Sequence, residues 1–294
     1  MLSYRFCTLC PRCCGVDRTE GKRGYCGMPD GIIAARAAAH YWEEPVISGD
    51  FGSGAVFFSG CTLGCKFCQN EVISHGGRGK PVDSGRLREI FEELIDQGVS
   101  NINLVTATQF LPSILPALTP KLPVPVVWNS SGYERVETLR ELEGLIDVYL
   151  PDFKYAAPKL AAELAAAPDY PAVTAAAIRE MVRQTGPAVV EDGLMTRGTL
   201  VRHLLLPGQV DNALAVIDWL ADSFPAGSVL FSLMRQYTPA GRLAHTPPYD
   251  RTVTDEEYDG ALSWAFLRGL DAGFTQEASA ADAAFVPPFN GEGL

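Results

Sequence analysis

Six short, nearly continuous apolar runs, each followed by a stretch with helical spacing, most constrain what this chain can fold into. They are GAVFFSG (54–60), NINLVT (101–106), VPVVWNSS (124–131), IDVYLPDF (146–153), GTLVRHLLLP (198–207) and SVLFSLM (228–234). Runs of that continuity fit strands buried on both faces, and their alternation with helices predicts an α/β fold with a parallel sheet. Residues 83–98 place Leu87, Ile90, Phe91 and Leu94 on one face, with Asp83 or Ser84 as cap and Gly98 as stop. Residues 109–120 read as a broken helix, and 134–144, 170–186 and 211–224 as helices. Residues 254–273 read as a helix capped by Thr254, with acidic residues in its first turn. Six such units close partly into a barrel or stay open. In either case ligands belong at the carboxyl ends of the strands.

Residues 1–45 read as a separate Cys-rich segment ahead of a main unit over 46–294. The segment is full of turn signals and holds too little apolar material for its own core, so a metal staple is expected. The 294-residue chain has a formal charge of -11, which argues against non-specific nucleic-acid binding. Its apolar runs are too short to span a bilayer, and MLSYRFC lacks the layout of a secretion signal, so a cytoplasmic protein without a membrane partner is expected. Of eight cysteines, five lie in the first 26 residues, three lie between 61 and 68, and none follows. A reducing compartment disfavours disulfides, and clustered thiols there hold metal more often.

Just past the first strand comes SGCTLGCKFCQN, with Cys61, Cys65 and Cys68 on one glycine-containing loop. Three thiolates so placed suit a cubane iron–sulfur cluster, and three ligands leave one iron open to react. Zinc is the competing metal, with His75 to complete a tetrahedron. In the Cys-rich segment, Cys7, Cys10, Cys13 or Cys14, and Cys26 form a candidate four-ligand site for a second [4Fe–4S] cluster or a zinc ion. Arg12, Arg18, Lys22 and Arg23 give a basic patch that could dock an acidic flavodoxin, with solvated loop charges as the plainer reading.

C-x3-C-x-aromatic-C after the first strand resembles the signature of the radical S-adenosylmethionine (SAM) enzymes. The resemblance implies a [4Fe–4S] cluster on Cys61, Cys65 and Cys68. It implies that SAM chelates the open iron and is cleaved to methionine and a 5′-deoxyadenosyl radical, with Phe67 packed on the adenine. CTLCPRCCGVDRTEGKRGYCG, YWEEPVISG, VVWNSSGYE, VYLPDFKY, VRHLLLPG and QYTP look like homologues of pyruvate formate-lyase activating enzyme over nearly the whole chain. That narrower resemblance implies a partial (β/α)6 barrel and an anaerobic oxidoreductase fed by a flavodoxin- or ferredoxin-type donor. It also implies hydrogen-atom abstraction from a protein or peptide, and it favours Cys14 over Cys13 as a ligand. A small-molecule substrate and a non-catalytic iron–sulfur electron carrier are the alternatives.

The chain departs from the broader family at LVTATQF, where a glycine- and glutamate-containing motif is missing. Asn103, Thr106 and Thr108 are the candidates to bind SAM there. Asn129 and Ser131 would point polar groups into the mouth, where a simple turn is the bland reading. Asp152 and Lys154 share a strand face and resemble the Asp-x-Lys pair of activases. Arg202 and His203 lie on opposite faces of one strand; the inward one needs a partner, and Arg202 is the candidate for a carboxylate. Gln236 and Tyr237 follow the sixth strand, and the tail FVPPFNGEGL is expected to fold over the barrel mouth.

Overall fold

The computed structural model describes residues 2–270, 273–281 and 286–294. Its strands are β1 (Ile32–His40), β2 (Ser53–Phe58), β3 (Lys80–Val82), β4 (Ile102–Val105), β5 (Val126–Ser130), β6 (Val148–Pro151), β7 (Val189–Glu191), β8 (Leu194–Leu204), β9 (Leu230–Met234) and β10 (Phe274–Thr275). Its helices are α1 (Pro45–Ser48), α2 (Glu71–Ser74), α3 (Ser84–Asp96), α4 (Leu111–Ile114), α5 (Val136–Arg140), α6 (Pro158–Ala165), α7 (Tyr170–Thr185), α8 (Val210–Ser223) and α9 (Asp255–Leu267). The sheet runs β10-β9-β8-β6-β5-β4-β2-β1-β3, with β7 beside β8. The six apolar runs form β2, β4, β5, β6, β8 and β9, all mutually parallel. Helices fill the crossovers, so the fold is the expected mostly parallel α/β partial (β/α)6 barrel. Among the described residues no helix is long and apolar enough to cross a membrane.

Local chemistry explains the helices. Asp83 caps α3 by accepting the Arg86 amide at 2.7 Å, and Leu87, Ile90, Phe91 and Leu94 are its buried face. Thr254 and Glu257 close a capping box on α9. The stretch read as a broken helix is α4 between two 3-10 turns, with prolines near the starts of α4 and the second turn. Residues 32–40, inside the Cys-rich segment, form a strand the sequence did not announce. IIAARAAAH is alanine-rich and favours helix locally, but its antiparallel ladder to β2 overrides that preference.

Side-chain alternation separates a floor from a mouth. Val127, Val148, Leu150, Leu200 and Leu230 pack with Ile47 of α1 into one apolar cluster. Two residues further along each strand, the same face carries Asn129, Asp152 and Arg202. The tail lies along β1: Ala37 donates its amide to the Glu292 carbonyl at 2.9 Å, and Gly291 donates to Ala35 at 3.1 Å. Phe289 is buried with its ring 5.5 Å from that of Phe57, while Val286 and Pro287 line the mouth cavity. Phe285 lies outside the described residues.

Gly132 turns the chain at the end of β5 with φ of 73°, and a Cβ there would run into the Asp152 carbonyl and Thr174. Gly132→Ala is therefore expected to lower stability by about 2 kcal/mol or more, read as a lower urea midpoint at constant m. An unchanged midpoint would show that the turn relaxes freely.

Candidate functional site

A cavity of about 260 Å³ opens at the carboxyl ends of the strands. Cys61, Cys65 and Cys68 all line it, together with Phe67, Asn129, Asp152, Lys154 and Arg202. The loop that carries the cysteines is held from below. Gly60, at φ of 77°, donates its amide to the Ile73 carbonyl at 2.9 Å. The Gln109 amide group donates to the carbonyls of Ser59 at 2.9 Å, Gly60 at 3.2 Å and Thr106 at 2.8 Å. Cys65 is buried and accepts from the Tyr155 hydroxyl at 3.4 Å; Cys68 accepts from the Ser74 hydroxyl at 3.2 Å and from the Asn70 amide. Burial pushes the Cys65 thiol up to about 12, opposed by the Lys154 charge. A thiolate at such a position needs a metal's positive charge.

These observations fit a cluster. Three sulfurs face one cavity, hydroxyl and amide donors point at two of them, and a cation stands beside Cys65. Among the described residues no three His, Cys, Asp or Glu side chains are gathered as ligands of a single ion. A cubane does not require that, because each of its thiolates binds a different iron.

The strand ends carry one connected polar network. Arg202 Nε donates to Asp152 Oδ1 at 3.0 Å, Nη1 to Glu43 Oε2 at 2.9 Å, and Nη2 to Asn129 Oδ1 at 2.6 Å. Lys154 Nζ donates to Asp152 Oδ2 at 2.6 Å. Glu43 Oε1 accepts from Asn129 at 3.0 Å and from Asn103 at 3.2 Å. Burial pushes the Asp152 carboxyl up, but Lys154 and Arg202 together overcome it and hold it below its ordinary value. Burial pulls Lys154 down, and Asp152 more than restores it.

The strand register settles which of Arg202 and His203 faces inward. Arg202 lines the cavity; His203 is fully buried on the opposite face with Nδ1 2.6 Å from the Phe153 carbonyl. Arg202 commits three of its five N–H donors to protein acceptors and so acts as the hub of the network. Thr106 lines the cavity at φ of 59°, a strained backbone for a β-branched residue, with its amide on the Asn129 carbonyl at 2.8 Å. Thr108 sits in the following 3-10 turn, which rotates its hydroxyl onto buried Glu134 at 2.5 Å instead of into the cavity. Asn103 is likewise buried and reaches the mouth only through Glu43. Ser131 lines the cavity and its carbonyl accepts from Tyr170 at 2.8 Å. The Phe67 ring meets Tyr237 edge-on at 6.0 Å, and the Tyr237 hydroxyl donates to the Tyr249 carbonyl at 2.7 Å. Gln236 also lines the cavity, and its carbonyl accepts from Gln69 at 3.0 Å. His75 stands in the wall with Nδ1 3.0 Å from Ser74 Oγ. Sequence reasoning singled out none of Glu43, Gln109 and Tyr155, although each lies in a stretch it quoted: YWEEPVISG, LVTATQF and VYLPDFKY.

The basic patch of the N-terminal segment is not a patch. Arg12 donates to the carbonyls of Thr62 at 3.0 Å, Leu63 at 2.8 Å and Ala165 at 2.8 Å, clamping the segment to the cysteine loop. Arg18 is buried, with Nη1 on the Gln109 carbonyl at 2.7 Å. Lys22 and Arg23 alone of the four stay exposed, which leaves little for an acidic donor to dock on.

Removing Arg202 leaves Glu43 without its cation and Asp152 with Lys154 alone, both in a largely buried setting. Arg202→Met is expected to cost about 3–5 kcal/mol in urea unfolding; a cost below about 1 kcal/mol would show that the network adds nothing. Burial also pulls His203 down to about 4. Its folded value lies below its unfolded value of 6.5, so the stability it confers is complete above that pH and is lost as pH falls toward about 4. The loss proceeds at no more than about 1.4 kcal/mol per pH unit. Urea midpoints across that window should fall less steeply in His203→Asn, which keeps a donor for Phe153; equal slopes would contradict the assignment.

Residues 48–161 match the family described as the 4Fe-4S single cluster domain, a span that includes the three-cysteine loop. Over 279 residues the chain is 28% identical to an uncharacterized protein of Methanocaldococcus jannaschii, covering 91% of this chain and 76% of that one. Streptococcus suis SuiB bound to the precursor peptide SuiA aligns with 76% of this chain and 48% of its own, at 11% identity and a TM-score of 0.50. SuiB bound to S-adenosylmethionine aligns with 75% of this chain and 49% of its own, at 10% identity and a TM-score of 0.48. The chain thus spans about half the length of these solved structures, and at that identity the likeness is one of fold. The match to the 4Fe-4S single cluster domain covers the three-cysteine loop but less than half of the chain, and the solved structures share its fold.

Proposed function

We propose that the protein is a radical SAM enzyme whose Cys61, Cys65 and Cys68 hold a [4Fe–4S] cluster. The observation that carries the reading is the placement of all three thiols in the wall of one cavity, beside Lys154 and the Arg202 network. When bound, the cluster supplies the electron that cleaves SAM to methionine and a 5′-deoxyadenosyl radical, which takes a hydrogen atom from the substrate.

The chain's own residues bind and orient. Lys154 has three N–H donors and Asp152 takes one, so two remain to receive a carboxylate of SAM or substrate. Asp152 fixes the ammonium, and Arg202 fixes Asp152 from the other side. Asn129 and Ser131 present polar atoms to the cavity, and Phe67 offers its ring to the adenine. The Thr106 backbone, pinned by Asn129 and Gln109, shapes the wall where the family's motif is missing. The tail residues Val286 and Pro287 close one side and limit water at a site of radical chemistry.

We take the substrate to be a protein or peptide that gives up a backbone hydrogen atom, as in the activating enzymes. Support comes from the sequence resemblance and from a fold similar to that of a protein solved with a bound precursor peptide. A low-potential donor of the flavodoxin or ferredoxin type would reduce the cluster. Anaerobically reconstituted protein given dithionite and SAM should release 5′-deoxyadenosine, and Cys65→Ala should reduce release at least about 100-fold. A fully loaded cluster that never cleaves SAM would overturn the reading. Hydrogen exchange into deoxyadenosine from a small metabolite, and not from a peptide, would move the substrate class.

A further inference from the structure

Outside the cavity, four N-terminal cysteines converge. Cys7 and Cys10 are buried, and Cys14 and Cys26 half-buried. Cys10 lies within electrostatic reach of Cys14 and Cys26, and Cys26 within reach of Cys7 and Cys14. Each sulfur also receives a hydrogen bond. The Arg12 amide points at Cys10, the Met28 amide at Cys26, the Tyr25 amide at Cys14 at 3.2 Å, and the Arg18 guanidinium at Cys7 at 3.7 Å. Two of these amides stand two residues after the cysteine they serve. The same turn recurs at Cys68, which the Asn70 amide serves. Cys13 behaves differently: it is exposed, at φ of 41°, and its thiol is turned to the Cys10 carbonyl at 3.5 Å.

A second observation asks for an anion at this place. Arg18 is 1% exposed, yet among the described residues no carboxylate pairs with it. Its Nη groups reach the carbonyls of Gln109 and Pro29 and the Cys7 sulfur, and its Nε is buried without a partner. Beyond those acceptors Arg18 meets, among the described residues, only the ring faces of Tyr4 at 4.5 Å and Phe110 at 5.9 Å, and a buried guanidinium gains most from a negative partner. Four thiolates around a [4Fe–4S] cluster carry net negative charge, and Cys7 would bring that charge to Arg18.

We propose that Cys7, Cys10, Cys14 and Cys26 hold a second metal centre, a [4Fe–4S] cluster with each thiolate on a different iron, with Arg18 as its buried counter-ion; the wide spacing of these thiols does not suit a single ion. The assignment stands apart from the SAM chemistry, because none of these residues lines the cavity. The centre also steadies the reactive loop. Arg18 holds Gln109, Gln109 holds Gly60 next to Cys61, and Arg12 and Tyr25 both bond the Leu63 carbonyl.

The test uses the full chain with Cys61, Cys65 and Cys68 all changed to Ala, loaded anaerobically with iron and sulfide, and the iron counted. The expected result is about four irons per chain. Cys14→Ala in that background should abolish binding and Cys13→Ala should leave it intact. A dithionite-bleachable absorption identifies the cluster, and one tightly held zinc in place of iron overturns the assignment. A folded triple variant that retains no metal overturns the proposal, as does a Cys13→Ala loss equal to that of Cys14→Ala. Should the triple variant misfold, the unaltered chain decides: about eight irons per chain are expected, and about four in total also overturns the proposal.

Discussion

The site depends on Arg202. Its three hydrogen bonds join the end of β8 to Asp152 after β6, to Asn129 on β5, and to Glu43 in the loop after β1. A guanidinium buried this deeply is tolerable only because it meets two carboxylates and an amide in a planar fork. The exchange works both ways: Asp152 and Glu43 would be unaffordable without it. The result is a rigid polar rim above an apolar floor, with the Lys154 ammonium held at one point of the rim. A partial barrel has no hydrogen-bonded closure between its outer strands, so cross-links at the mouth must fix the spacing of the strand ends.

The second constraint comes from outside the barrel. The cysteine loop has little regular structure of its own, and its shape is imposed by carbonyl contacts. Gln109 holds its start, Arg12 and Tyr25 hold its middle, and Arg242 holds its end by donating its amide to the Lys66 carbonyl at 2.8 Å. The N-terminal segment is thus an inner support of the loop, even though its low apolar content reads as an appendage.

The fold was largely legible because six apolar runs mark six buried parallel strands, and caps such as Asp83 and Thr254 mark helix starts. β1 was not, since alanine-rich IIAARAAAH carries no strand signal of its own until β2 is there to pair with it. In the site, the spacing of Cys61, Cys65 and Cys68 and the alternation at Asp152 and Lys154 pointed to one wall. Arg202 and His203 could not be told apart, because which face is inward depends on neighbouring strands. Thr108 was out of reach for a similar reason: a 3-10 turn reorients it by one residue's rotation. Glu43 was hidden most completely. Nothing local distinguishes it from Glu44, and its role exists only where three strand ends meet.

The central claim is that the loop thiols hold a cluster with one iron open to SAM. The most direct measurement is the EPR spectrum of the reduced, reconstituted protein with and without SAM. The account predicts that the loop cluster's signal changes shape and g values when SAM occupies the open iron, and that this change disappears in Cys65→Ala. A loaded, reduced cluster whose spectrum is indifferent to saturating SAM would contradict it.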